Sequence, residues 1–341
     1  MGINKNSNIK IGKIKKGNKN LITDVNGIKV GHVTLNSKNI KTGVTAILPH
    51  ENNIFKEKVM AASYIINGFG KSVGLIQIDE LGTLETPIIL TNTLSVGTCT
   101  TALIKYMLKN NEDIGVTTGT VNPVVMECND GYLNDIRGLH IKEEHVKEAL
   151  ENATVDFKEG CVGAGMGMSC YELKGGIGSS SRVIELNHKE YTVGSLVLTN
   201  LGLKRDLILD NKNIGENINI MNNYEKEKGS IIIIIATDIP LSERQLKRVA
   251  KRASVSLART GSYLGNGSGD IVLAFTTANK IPHYKNSDII STNMIHDNEI
   301  DKVFRAVVES VEESIISSML HATTVVGRDG HVRKSINEYM K

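Results

Sequence analysis

Apolar residues in this chain fall into short blocks between polar turns, and the blocks switch between alternating and helical spacing. The sharpest block is Ile231 to Ile235, five β-branched residues in a row. Such a run fits a strand buried on both faces better than a helix. Blocks at 21–24 and 28–33 read as two strands around Asn26-Gly27, a hairpin signal. Residues 45–48, 74–78, 87–90 and 271–276 read as further strands, and 181–186 with 191–199 as a pair. Helical spacing marks 55–66, closed by Asn67-Gly68, then 98–108 and 143–152. Ser242 opens another helix with Gln245 at capping-box spacing. Leu246, Val249, Ala250, Ala253 and Leu257 form its buried stripe and Gly261 its stop. A long amphipathic helix follows over 303–320, with Phe304, Val307, Val308, Val311 and Ile315 on one side.

Residues 1–20 are expected to form a loose arm. Residues 203–229, rich in Asn and Lys, are expected to form an exposed loop able to move over a site. No internal repeat is evident, and the elements do not alternate as regular βαβ units. The pattern predicts one domain of α+β class, a sandwich of sheets covered by helices.

Composition narrows the function classes. The chain has 341 residues, 40% of them hydrophobic, enough for a large core. A net charge of +3 and 4% aromatic residues do not provide the basic face and stacking rings that nucleic-acid binding needs. Cys99, Cys128, Cys161 and Cys170 form no CxxC pair and have no histidine at zinc-finger spacing. Four scattered thiols suit a reduced, cytoplasmic protein. The first twenty residues lack the apolar stretch of a signal peptide, and no apolar run is long enough for a membrane span.

Several chemical motifs fail on inspection. Gly70-Lys71-Ser72 resembles the end of a P-loop, but Ile65 stands where that loop needs a glycine. The run Gly163-Ala164-Gly165-Met166-Gly167 is not a dinucleotide fingerprint, because Met168 replaces the third glycine. Its glycines suit close backbone approach or a nest of amide donors. Gly267-Ser268-Gly269 is too short for a nucleophile elbow, and no histidine lies near Ser230. Gly229-Ser230, at the mouth of the isoleucine run, carries two readings. One is a turn that feeds a core strand. The other is a peptide bond cut by Ser230 itself, leaving a new N-terminus that bears a hydroxyl and an amine.

Long blocks resemble one family and favour the second reading. They are ITDVNGIKVGHVTL at 22–35, TGVTAILPH at 42–50, INGFGKSVGLIQIDELGTLETPIILTNTLSVG at 66–97 and ECNDGYLNDIRG at 127–138. The others are VGAGMGMSCYELKGGIGSSSRV at 162–183, YTVGSLVLTNLG at 191–202, the stretch from Gly229 to Phe275, and VVGRDGH at 325–331. Together they resemble the P1 family of peptidases, which includes the DmpA-type L-aminopeptidase/D-esterases and the β-peptidyl aminopeptidases. The resemblance covers nearly the whole chain.

The resemblance implies an αββα sandwich like that of the Ntn hydrolases, with different connectivity, cut by the protein itself into 1–229 and 230–341. It implies Ser230 as nucleophile, Gly229 as the last residue of the first fragment, and Ser268, Asp270 and Asn200 as further active-site residues, Asn200 at the oxyanion. Glu127 and Tyr132 fall in the block that contributes substrate contacts, and Asp130 is a second candidate for binding a substrate ammonium. Short peptides, amides or esters with a free amine are the implied substrates, without cofactor or metal, nucleic acid or membrane. The implied assembly is a homo-oligomer, a tetramer of processed heterodimers. Two alternatives remain at this point: an acyltransferase of the ornithine-acetyltransferase type, which ordinarily uses threonine where this chain has Ser230, and an uncleaved binding protein of the same fold.

The chemistry fits these residue types. Without a Cβ, Gly229 can take a strained backbone and admit the hydroxyl of Ser230 to its carbonyl. A freed α-amine has a reference pKa of about 7.7–8.0, so it can serve as the general base for its own hydroxyl without a histidine.

Overall fold

The computed structural model describes residues 9–215 and 229–340. Two sheets stack face to face between two pairs of helices. The first sheet holds β1 (Lys29–Ser37), β2 (Ile40–Leu48), β4 (Ile88–Asn92) and β5 (Val124–Cys128), in the order β1-β2-β4-β5. The second begins with the two-residue strand Thr83–Leu84 at one edge. It continues through β3 (Glu57–Gly68), β9 (Gly269–Pro282), β8 (Ser230–Thr237), β7 (Lys189–Asn200) and β6 (Ile177–Leu186). Within each sheet one pair is parallel: β4 with β5, crossed by helix α2 (Val96–Asn110), and β8 with β9, crossed by α4 (Glu243–Thr260). Parallel neighbours need such a crossover, which places these helices on the outer faces. Helix α3 (Glu143–Glu151) joins α2 on the first sheet, and α5 (Ile300–Leu320) joins α4 on the second. The architecture is the αββα sandwich.

The isoleucine run becomes β8, with both faces buried. Ile232 and Ile234 point into the core shared with Leu90, Val124 and Met126 of the other sheet. Ile231, Ile233 and Ile235 point to the helices, against Leu246, Val249, Val307 and Val311. Successive side chains alternate across a strand, so a continuous apolar run is what a doubly covered central strand requires. Helix α4 starts as expected: Gln245 N–H donates to Ser242 Oγ at 3.3 Å, Ser242 N–H donates to Gln245 Oε1 at 3.2 Å, and Gly261 closes it at φ 103°.

Several elements differ from expectation. The helical spacing over 55–66 belongs to strand β3. Val59 and Ala61 face the other sheet, while Met60, Ala62, Tyr64 and Ile66 face the helices, so apolar residues on both sides imitate a helical stripe. Conversely, 74–78 is not a strand but the start of helix α1 (Leu75–Leu81). Leu75 and Ile78 are buried one turn apart while Ile76 is 89% exposed. Residues 21–24 form a single tight turn over Ile22–Asp24, and the hairpin joins β1 to β2 rather than turning at Asn26-Gly27. The described part of the N-terminal arm is docked, not loose. The N–H groups of Lys13 and Ile14 donate to Glu309 Oε2 on α5 at 3.0 and 2.9 Å. The first half of the expected 203–229 loop carries a small hairpin, Ile208–Leu209 with Lys212–Asn213, and 216–228 lie outside the described residues. Among the described residues no helix is long and apolar enough to cross a membrane.

Candidate active site

Ser230 is the first residue of β8. Its antiparallel partner is Asn200, the last residue of β7, and its parallel partner is Gly269, the first of β9. Three central strands therefore begin or end at one point, which gathers Asn200, Gly229, Ser230, Ser268 and Asp270 on or next to their ends. Ser230 Oγ donates to the carbonyl oxygen of Gly229 at 2.6 Å. The same carbonyl accepts the N–H of Gly269 at 3.2 Å, and that N–H also lies 3.3 Å from Ser230 Oγ. Glycine at 229 has a steric reason: a Cβ there would stand 2.6 Å from Asn200 O and 2.7 Å from Leu201 Cα. The two strand ends can approach only if one of them lacks a side chain.

Ser268 and Asp270 flank Gly269 and are buried. Ser268 Oγ donates to Asp270 Oδ2. Asn200 Oδ1 accepts the N–H of Ser169 at 3.1 Å, which ties the end of β7 to the glycine-rich stretch. Gly229, Ser230 and Asn200 line a cleft of about 910 Å³, together with Glu127 and Tyr132.

Glu127, near the end of β5, is 3% exposed. Lys71 N–H donates to its Oε1 at 2.8 Å, and Thr93 Oγ1 donates to its Oε2. The Gly70-Lys71-Ser72 segment, rejected as a phosphate loop, thus holds a carboxylate with its backbone. The Tyr132 ring stacks on His331 at 4.6 Å, and the Arg333 guanidinium lies over it at 3.7 Å. Arg333 Nε donates to Ser169 Oγ at 3.0 Å.

Asp130 is a correction. It is fully buried, does not line the cleft, and accepts from Asn134 Nδ2 at 3.0 Å through Oδ1. Its Oδ2 makes no hydrogen bond of good geometry, although Thr42 and Asn92, bonded to each other at 2.8 Å, stand beside the carboxyl and moderate the effect of burial. Burial drives its pKa up to about 7. A carboxyl with no route to the cleft cannot meet a substrate ammonium.

The other aliphatic hydroxyls that line the cleft are engaged, Thr93 Oγ1 with Glu127 and Ser169 Oγ with Arg333 Nε, and no cysteine lines it among the described residues. Cys128 lies close by, but burial and then the carboxylates of Glu127 and Asp270 push its thiol well above the ordinary range. A thiol held protonated is a poor nucleophile. No histidine lines the cleft among the described residues. The sequence reading missed Lys71, Thr93, Ser169, Gly269 and Arg333 as parts of the site. Lys71 and Gly269 act through backbone N–H groups, which carry no residue-type signal.

Comparison with known proteins finds likeness over nearly the whole chain. The model of Peptidase family S58 matches residues 20–333. The chain is 36% identical to a β-peptidyl aminopeptidase of Sphingosinicella microcystinivorans, over 93% of this chain and 85% of that one. It superposes on a crystal structure of a Pyrococcus horikoshii protein with TM-score 0.93 and 56% identity, covering 98% of this chain and 95% of that one. An L-aminopeptidase D-Ala-esterase/amidase from Ochrobactrum anthropi, described as a prototype of serine aminopeptidases and a variant of the Ntn hydrolase fold, superposes with TM-score 0.87. The two share 33% identity, with 96% of each chain covered.

Proposed function

This chain belongs to peptidase family S58, and on that premise we propose that it is an N-terminal-nucleophile aminopeptidase that produces its own nucleophile by cutting the Gly229–Ser230 bond. As a member of the family it is a hydrolase, and its substrates are peptides. The observation that carries the proposal is the contact of Ser230 Oγ with its own preceding carbonyl, 2.6 Å to the oxygen, beside an accessible cleft.

In the first reaction Ser230 Oγ attacks the carbonyl carbon of Gly229. Negative charge builds on Gly229 O, where the Gly269 N–H already points. Aligned donors of this kind act where charge develops. The proton of Ser230 Oγ passes to the Ser230 nitrogen as the Gly229–Ser230 C–N bond breaks, leaving an ester that water hydrolyses. Gly229 ends as a carboxylate and Ser230 as a free amine.

In the mature site the amine takes the proton from Ser230 Oγ as the hydroxyl attacks a substrate carbonyl. Asn200 Nδ2 and the Gly269 N–H hold the oxyanion, and the leaving amine departs with the proton, leaving an acyl ester on Ser230 Oγ. Water then attacks that ester, giving its proton to the α-amine, which returns it to Oγ as the acid is released. Ser268 and Asp270 form a buried hydrogen-bonded pair on either side of Gly269, the strand partner of Ser230, and hold the β9 end beside the new terminus. Glu127 receives the substrate's ammonium, because a carboxylate held by two donors in a partly desolvated cleft makes charge-assisted bonds. Tyr132 and Arg333 shape the rim.

The four free thiols suit a reducing cytoplasm. A tetramer of processed heterodimers is the expected assembly, which light scattering would detect.

Mass spectrometry of purified protein tests the central claim. Two fragments with Ser230 at the new terminus are expected, and Ser230→Ala should give one uncut, inactive chain. If that variant still splits at the same bond, the mechanism fails. Release of p-nitroaniline from aminoacyl anilides without acetyl transfer would mark a peptidase rather than an acyltransferase.

A further inference from the structure

Lys174 is fully buried and has no ion-pair partner among the described residues. Its Nζ lies 3.0 Å from Gly165 O, 2.9 Å from Met168 O and 2.6 Å from Gly175 O. Burial pulls the pKa of Lys174 down and the neighbouring Cys161 opposes this, but the geometry favours the charged form. Three carbonyl acceptors match the three N–H bonds of an ammonium, whereas a neutral amine would turn its lone pair on one of them. Burying a lysine without a carboxylate is costly. The shell would be easier to build with an apolar residue unless the three carbonyls need to be held.

The second of those carbonyls shows what is gained. Met168 O and Ser169 N–H belong to one peptide unit, which is planar, with its C=O and N–H pointing opposite ways. Lys174 holds the carbonyl end. The N–H end donates to Asn200 Oδ1 at 3.1 Å. The carboxamide of Asn200 therefore has its oxygen tied away from the reaction, which turns Nδ2 toward the cleft it lines beside Ser230. A cation on the carbonyl also polarises the peptide and strengthens its N–H as a donor. Tyr171 N–H reinforces the arrangement by donating to Leu201 O at 2.6 Å, so the 169–174 hairpin is fastened both to the Asn200 side chain and to the backbone of the residue after it.

We propose that Lys174 is a positioning residue for catalysis: its ammonium fixes the Met168–Ser169 peptide, and that peptide sets the orientation of Asn200. The proposal rests on Asn200 serving the oxyanion. Lys174 touches neither substrate nor reacting atoms. Its effect must therefore pass through Asn200 and vanish when Asn200 cannot respond.

A double-mutant cycle on processed protein tests this, read with an aminoacyl p-nitroanilide and normalised to the processed fraction. Lys174→Met should lower kcat about tenfold or more and leave KM within about twofold, and Asn200→Ala should lower kcat about a hundredfold. In the Asn200→Ala background, Lys174→Met should change kcat less than about twofold. Lys174→Arg, which keeps the charge and several donors, should recover part of the single-variant loss. Equal losses from Lys174→Met in both backgrounds would overturn the proposal. So would failure of both Lys174 variants to fold, since the role would then be structural. If Asn200→Ala alone retains full kcat, the oxyanion assignment falls, and the proposal falls with it. That result is distinct from a cycle in which Asn200 matters and Lys174 does not act through it.

Discussion

Two carboxylates three residues apart, Glu127 and Asp130, have opposite circumstances. Glu127 receives two donors and opens on the cleft, while Asp130 is sealed with one oxygen short of a hydrogen bond of good geometry. Glu127→Gln should cut kcat/KM for aminoacyl anilides by roughly 10- to 100-fold, the worth of a hydrogen bond to a charged group, with protein stability nearly unchanged. Steady-state kinetics with a thermal melt would check both. For Asp130 the measurement is stability against pH. Its folded pKa of about 7 lies above the unfolded value of 3.8, so between them the folded state holds a proton that the unfolded chain releases. The stability this contributes is intact at low pH and is lost as pH rises through about 7. Asp130→Asn should match the wild type near pH 4, gain on it up to pH 7, and then hold a constant lead of at most about 4 kcal/mol. Urea melts across that range would show it, and a lead independent of pH would exclude Asp130 as the source.

At the scale of elements, the sequence was legible wherever one signal dominated. The isoleucine run, the Ser242–Gln245 capping box and the long helix ending at Leu320 carry their own cause. It was not legible where the environment decides. β3 is covered on both faces, so Met60 to Ile66 presents apolar residues at spacings that satisfy strand and helix alike. α1 has only seven residues, too few for periodicity to declare itself, and its ends are set by left-handed Gly74 and Gly82. The site divides the same way. Ser230, Asn200, Ser268 and Glu127 could be placed by long blocks of likeness, but the roles of Lys71 and Gly269 lie in backbone N–H groups that any residue but proline could supply. Glycine also marks where elements touch. At Gly178 of β6 a Cβ would stand 1.9 Å from Ser314 O and 2.6 Å from Ser318 N of α5. These are backbone atoms that no rotamer change can move. Gly178→Ala should therefore push α5 off the sheet and cost about 1–3 kcal/mol or more, read by chemical denaturation. Gly97→Ala, with open space around it, serves as the control.

On the scale of the whole molecule, the position of the proposed cut matters as much as its chemistry. In the second sheet β8 and β9 belong to 230–341, and they lie between β3 and β7 of 1–229. Each fragment thus supplies strands that the other must pair. The helices divide in the same sense: α4 and α5 come from the second fragment, yet α4 covers β3 and α5 covers β6 and β7 of the first. Cutting one bond removes no strand pairing and leaves the shared core intact, so the break costs little in the folded state. It changes the unfolded state instead, where two chains replace one and refolding becomes an encounter. Cut protein should therefore remain a single species on native size exclusion and release its fragments only in denaturant. Its refolding yield should fall with dilution, whereas uncut Ser230→Ala should refold independently of concentration. Fragments expressed alone should aggregate, since 230–341 would expose both edges of the β8–β9 pair and 1–229 would expose β3 and β7. Fragments that fold separately and regain activity on mixing at any dilution would show that the interleaved sheet is not what holds the cut protein together.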